Sequence, residues 1–105
     1  MKTETFGPTI PIMSVKSDEE AIALMNDSDL GLTASVWTKD MVKAEEIVEK
    51  LEAGTVFVNR CDFPSADLAW TGWKESGRGV TLGPGGFEAF VKSRSWHLKE
   101  YPVGK

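Results

Sequence analysis

The chain is short of the groups from which self-contained active sites are built. It holds a single cysteine, Cys61, and a single histidine, His97. One cysteine excludes an internal disulfide and suits a reducing cytosol. One thiol and one imidazole cannot assemble a zinc cluster. A Ser-His-Asp arrangement would have to use His97, close to the C-terminus on an expected strand, and an ordinary surface or interface histidine is the simpler reading. No apolar run approaches the roughly 20 residues of a membrane helix. The opening Met1-Lys2-Thr3-Glu4-Thr5-Phe6-Gly7-Pro8 lacks the apolar core of a secretory leader. A soluble, cytoplasmic protein is therefore expected. Positive charge is also scarce: 12 Lys and Arg against 16 Asp and Glu leave a net charge of −4, the wrong sign for a general phosphate-binding surface.

What remains is ordinary for a globular domain, with 41% hydrophobic and 27% charged residues over 105 positions. Ile10 to Val15, interrupted by Pro11, reads as an edge-like or opening strand. Ser17-Asp18-Glu19-Glu20 forms a capping box ahead of Ala21, Ile22, Leu24 and Met25, and predicts a helix over Asp18 to Asn26. Ala34 to Thr38 reads as a second strand. Asp40 caps a second helix, whose stripe of Met41, Ala44, Ile47, Val48 and Leu51 recurs at i, i+3, i+4 spacing. Gly54 follows at the position where a left-handed residue ends helices. Thr55-Val56-Phe57-Val58 is apolar on both faces, as in a central parallel strand. The alternation predicts an α/β fold: a three-layer-type parallel sheet with a βαβαβ core. An irregular Gly- and Trp-rich region follows, then a short helix near Gly86 to Lys92 and a final strand at Ser93 to Leu98.

The irregular region from Asn59 to Gly86 is long for a structureless stretch inside a compact domain. Trp70 and Trp73 argue against disorder, so a pocket-building loop is the better reading. Gly77-Arg78-Gly79 with Gly83 misses the dinucleotide fingerprint spacing by one residue and does not follow an expected strand, so tight turns explain these glycines. Cys61 sits just past a strand end, where α/β sites form. Its neighbours Arg60 and Asp62 oppose each other in charge, and no histidine base is close in sequence, which disfavours a nucleophile. Trp70, Trp73, Lys74, Arg78, Lys92, Arg94, Trp96 and Lys99 interleave cations with aromatics. In a net negative chain without a nucleic-acid module they read as core and pocket residues.

Four stretches carry a resemblance. Glu4-Thr5-Phe6-Gly7-Pro8 resembles the E-x-F-G-P motif of the NAD(P)-dependent aldehyde dehydrogenase superfamily. Asn26 to Leu32 with Ala34 to Asp40 is similar to the stretch that follows it, N-x-x-x-x-G-L then V-[WF]-T-x-D. Ala53 to Asn59 is similar to A-G-T-V-x-V-N, and Gly72 to Gly79 to G-x-K-x-S-G-x-G. Together, in order, they cover nearly the whole chain and identify it as a C-terminal part of that family's catalytic domain, a single partial domain over residues 1–105.

The resemblance implies roles. Glu4 would accept hydrogen bonds from the nicotinamide ribose of NAD or NADP, and Phe6 would pack beside the nicotinamide. Trp70 would line the aldehyde tunnel, with the Arg60 to Asp67 loop shaping its mouth. Two departures stand out. Ala69 and Thr71 replace a proline and a glycine, and Thr81 stands in Val80-Thr81-Leu82-Gly83 where the family often has R-E-L-G, with an acid linked to proton relay. The implied reaction oxidises an aldehyde to an acid by thiolate attack, hydride transfer to NAD(P)⁺ and thioester hydrolysis. The family's nucleophile and its glutamate base lie upstream of E-x-F-G-P, and Cys61 falls in a variable loop. The isolated chain is thus expected to have no catalytic residues of its own and to be inactive. Homo-oligomerisation, or association with another chain, is expected. So is a rival role as a non-catalytic interaction or oligomerisation module using the final strand.

Overall fold

Each helix starts where a short polar side chain holds an unpaired amide. Ser17 Oγ accepts from the Glu20 amide at 3.2 Å and opens α1, Asp18–Asn26. Glu20 reaches back one residue further than a capping box requires, its Oε2 accepting from the Lys16 amide at 2.8 Å. Asp40 Oδ1 accepts from the Lys43 amide at 3.1 Å and opens α2, Met41–Val48. The computed structural model describes residues 3–102 and 104; Met1 and Lys2 of the opening read above as lacking a leader, and Val103 and Lys105 of the tail, lie outside it.

The described residues form six short strands: β1 (Leu30–Gly31), β2 (Thr33–Val36), β3 (Thr55–Val58), β4 (Trp70–Thr71), β5 (Trp73–Lys74) and β6 (Val80–Thr81). A 3-10 helix over Pro84–Phe90 follows. β2 and β3 run parallel, with Thr33 opposite Thr55 and Val36 opposite Val58, and α2 is the crossover between them. β1 pairs antiparallel with β5, and β4 with β6. The architecture is mixed α/β with three two-stranded sheets.

Burial concentrates in the crossover unit. Ala44, Leu51 and Phe57 are 0%, 4% and 9% exposed, and they are the buried hydrophobic residues among those described. Ala44 lets α2 approach β2 closely, while Leu51 follows the helix and Phe57 faces in from β3. α1 buries no residue, and Leu24 and Met25 remain exposed.

Several expectations need correction. Ile10 to Val15 is not a strand: Pro11 removes a ladder donor and no strand pairs with it among the described residues, so the core is βαβ rather than βαβαβ. Ser93 to Leu98 carries no strand, and no pairing is made there among the described residues, so the final strand does not form either. The second helix ends at Val48, and Gly54 has a different job from capping it. A Cβ at Gly54 would lie 1.8 Å from the Thr71 carbonyl oxygen, so glycine here admits β4 against the start of β3. The late helix is a 3-10 segment starting at Pro84, whose ring suits a first-turn position. The radius of gyration is 21.2 Å, against about 13 Å for a compact chain of this length.

Candidate functional site

At the amino edge of the β2–β3 pair, residues far apart in sequence are tied together. Asn26, the last residue of α1, donates from Nδ2 to the Lys50 carbonyl at 2.7 Å and accepts at Oδ1 from the Glu52 amide at 2.9 Å. Lys74 sits in left-handed backbone, φ 53°, at the end of β5. Its Nζ donates to the Asn26 and Ser28 carbonyls at 2.7 and 2.8 Å and pairs with the Glu52 carboxylate at 2.6 Å. Two carbonyls and one carboxylate occupy all three ammonium donors. Ser76 Oγ accepts from the Gly31 amide at 2.9 Å, and the Asp29 carbonyl accepts from the Glu75 amide. Asn26, Gly31, Lys74 and Ser76 all belong to the motif stretches, and the structure gives them a shared joint that no periodicity in the sequence announces.

Above this joint opens a cleft of about 510 Å³ whose walls include Glu4, Met25, Ser28, Leu30, Thr33 and Ser76. Glu4 is exposed at its rim. Phe6, two residues on, is 86% exposed and does not line the cleft. Trp70 is half-buried in β4 opposite Thr81, and it too lies outside the Glu4 cleft. Thr81 instead lines a second, apolar cleft of about 350 Å³ between β6 and the 3-10 helix, with Ala66, Leu82, Phe87 and Phe90. The structure therefore joins Glu4 to Ser76, and leaves Phe6 and Trp70 apart from them.

The carboxyl edge of the same pair has a different chemistry. Asn59, at φ 55°, clasps the two strand ends: its Nδ2 donates to the Thr38 carbonyl and its Oδ1 accepts from the Thr38 amide, both at 2.8 Å. Ser35 Oγ donates to the Arg60 carbonyl at 2.6 Å. The Arg60 guanidinium lies 6.0 Å from the Phe57 ring centre and 5.2 Å from that of Phe63. In the same loop the Ser65 hydroxyl donates to the Asp67 carboxylate at 2.5 Å. That bond, with help from a backbone amide, holds the Asp67 carboxyl below its ordinary range. Cys61 and His97 are exposed. Among the described residues no group of three or more His, Cys, Asp or Glu side chains is placed to hold a metal ion. Nor is any helix long and apolar enough to cross a membrane.

For a nicotinamide dinucleotide, the residues present fit one end. Glu4 offers a carboxylate beside a cleft, suited to a pair of ribose hydroxyls. Among the described residues nothing comparable serves the pyrophosphate: Gly77-Arg78-Gly79 leads from β5 into β6, without the strand–turn–helix geometry that grips phosphates.

A mixed α/β segment with a parallel crossover and a tied joint at one edge is a class shared by many enzymes, and comparison with known proteins narrows it. The model of the Aldehyde dehydrogenase family matches residues 1–96. Betaine aldehyde dehydrogenase of Bacillus subtilis (strain 168) is 38% identical over 103 residues, covering 98% of this chain and 21% of its own. A crystal structure of betaine aldehyde dehydrogenase from Staphylococcus aureus, in complex with NAD⁺, superposes with TM-score 0.81 at 39% identity over 85% of this chain and 18% of that one. A lactaldehyde dehydrogenase structure reaches TM-score 0.87 at 32% identity, over 94% of this chain and 21% of that one. The chain belongs to the aldehyde dehydrogenase family. It spans about 21% of the length of the curated relatives it matches.

Proposed function

We propose that this chain works as the C-terminal part of the catalytic domain of a cytoplasmic NAD(P)-dependent aldehyde dehydrogenase, supplying part of the cofactor and substrate site and neither the nucleophile nor the general base. The observation that carries the reading is the cleft in which Glu4 of Glu4-Thr5-Phe6-Gly7-Pro8 meets Ser76 of Gly72-Trp73-Lys74-Glu75-Ser76-Gly77. Three of the four motif stretches thereby line one cleft, the Asn26 to Leu32 stretch contributing Ser28, Leu30 and Leu32, with the Lys74–Asn26 joint beside it. In the complete enzyme Glu4 would bind the nicotinamide ribose, Phe6 would pack beside the ring, and Trp70 would line the aldehyde tunnel. The cofactor, when bound, accepts hydride from the substrate. The role of these residues is to orient it, while the segments at 10–15 and 93–98 pair as strands with other polypeptide.

The test is Glu4→Gln in the complete enzyme. The amide keeps the shape and loses the charged acceptor, so KM for NAD(P)⁺ should rise about tenfold, in line with one lost charge-assisted hydrogen bond. The thermal midpoint should barely move, because Glu4 is exposed. A fall in stability with unchanged cofactor kinetics would make Glu4 structural.

A second reading has its own observation. Val91, Trp96, Leu98 and Tyr101 are 68%, 70%, 84% and 78% exposed along a tail that makes no strand pairing among the described residues. Such a segment suits strand addition to another chain, the behaviour of a non-catalytic interaction or oligomerisation module. Nucleotide affinity separates the two, since the module needs none.

A further inference from the structure

Arg60 is the one cation of the carboxyl-edge loop, residues 59–67, and its charge is presented but not spent. Its guanidinium lies over Phe57, anchored in the core, and over Phe63, so two ring faces hold the cation from within the loop. Ring faces attract the charge but take up none of its five N–H donors. Among the described residues no carboxylate forms an ion pair with Arg60, and no acceptor bonds its side chain. The acids that could quench it are close in sequence and do not. Asp67 is engaged by the Ser65 hydroxyl, and Asp62 makes no ion pair with Arg60. The main chain at Arg60 is itself fixed, because its carbonyl accepts from Ser35 Oγ at 2.6 Å. A held guanidinium with free donors at the carboxyl end of parallel strands has the geometry of a receptor for an anion.

We propose that Arg60 is a specificity-determining residue that receives an anionic group, carboxylate or phosphate, at the far end of the aldehyde substrate. The inference rests on the aldehyde dehydrogenase reading above, in which the Arg60 to Asp67 loop shapes the tunnel mouth. It narrows the substrate class to aldehydes with a negative charge distal to the reacting carbon. The aromatic pair sets the position of the guanidinium, so charge alone does not reproduce its effect: lysine keeps the charge and loses the planar fork.

The complete enzyme is assayed with four aldehydes: 4-oxobutanoate, glyceraldehyde 3-phosphate, neutral butanal, and cationic betaine aldehyde. One of the two anionic probes should exceed butanal in kcat/KM by at least tenfold, and which one does so separates carboxylate from phosphate. Arg60→Met should cut that anionic-to-neutral ratio at least tenfold, chiefly through KM, and Arg60→Lys should restore part of it. Because the readout is a ratio within each variant, loss of folded protein does not mimic the effect. Turnover of butanal or betaine aldehyde with no anionic preference, or a ratio unmoved by Arg60→Met, overturns the role of Arg60 and leaves the family reaction standing. No turnover of any of the four, with NAD⁺ or NADP⁺, overturns the reaction itself and this inference with it.

Discussion

Residues 33–58 and the two terminal segments, 3–16 and 91–102, are equal in total length, both carry large apolar side chains, and have opposite fates. In the first, β2, α2 and β3 close on one another and bury Ala44, Leu51 and Phe57. In the second, Ile10, Ile12, Trp96 and Leu98 are 82%, 91%, 70% and 84% exposed. The contrast lies in where the partners are. The crossover unit finds its partners within about 25 residues of sequence, so its loop-closure cost is small. The terminal segments carry apolar residues that nothing in the described chain covers. Exposed apolar surface of this extent is, as a rule, where proteins contact other polypeptide.

The sharpest way to break the closed region is at its joint with β4. Gly54→Ala would drive a Cβ to 1.8 Å from the Thr71 carbonyl oxygen, and backbone cannot swing aside as a side chain can. Gly85→Ala is the matched control, since its Cβ would meet nothing within 4 Å. Urea unfolding at one fixed protein concentration should show a loss of about 3 kcal/mol for Gly54→Ala and less than about 0.5 kcal/mol for Gly85→Ala. Equal midpoints for the two variants would mean that β4 does not press against β3.

The open region is probed by association. The chain alone should be larger than a monomer by size-exclusion chromatography with light scattering across a micromolar dilution series. Replacing Trp96 and Leu98 by serine should weaken that association at least tenfold, which is about 1.4 kcal/mol, while leaving the secondary structure of residues 33–58 intact by circular dichroism. A cooperatively folding wild-type monomer at micromolar concentration would show that the chain covers its own apolar surface.

The same contrast decides how much could be read from the sequence. Both helices and β3 were readable because their signals are local: Ser17 and Asp40 cap three residues ahead, and the stripe from Met41 to Leu51 repeats within one element. The paired strands β1–β5 and β4–β6 were not, because two-residue strands have no period and their partners lie far along the chain. Ile10 to Val15 and Ser93 to Leu98 have strand-like composition but no partner, and composition cannot supply one. At the candidate site, Glu4, Phe6 and Trp70 came from resemblance alone, and the structure places Glu4 on a cleft without joining the other two to it. The Lys74 joint and the Arg60–Phe57–Phe63 cluster are not legible in the sequence, since each depends on side chains brought together by the fold. A lysine inside a glycine-rich stretch and an arginine flanked by two phenylalanines at i−3 and i+3 were the faint signals available.

The smallest expected effect lies on the surface of the closed region, where Lys43 of α2 pairs with Asp18 of α1. The Asp18 carboxylate, through a direct hydrogen bond and its charge, raises the Lys43 ammonium above its ordinary value of 10.5. A group whose folded value is raised stabilises the fold below its unfolded value, and that stabilisation is lost as pH climbs through the folded one. The contribution should therefore be present in full at neutral pH and fade only above about pH 10.5. Both partners are solvent-exposed, so it should also be small and screened by salt. Lys43→Met should lower the thermal midpoint slightly at pH 8 in low salt, and the difference from wild type should shrink in high salt and again above pH 10.5. A difference that grew with pH would contradict the sign of the linkage. One untouched by salt would show that Lys43 contributes through the packing of its methylene chain, tying α1 to α2 by contact rather than by charge.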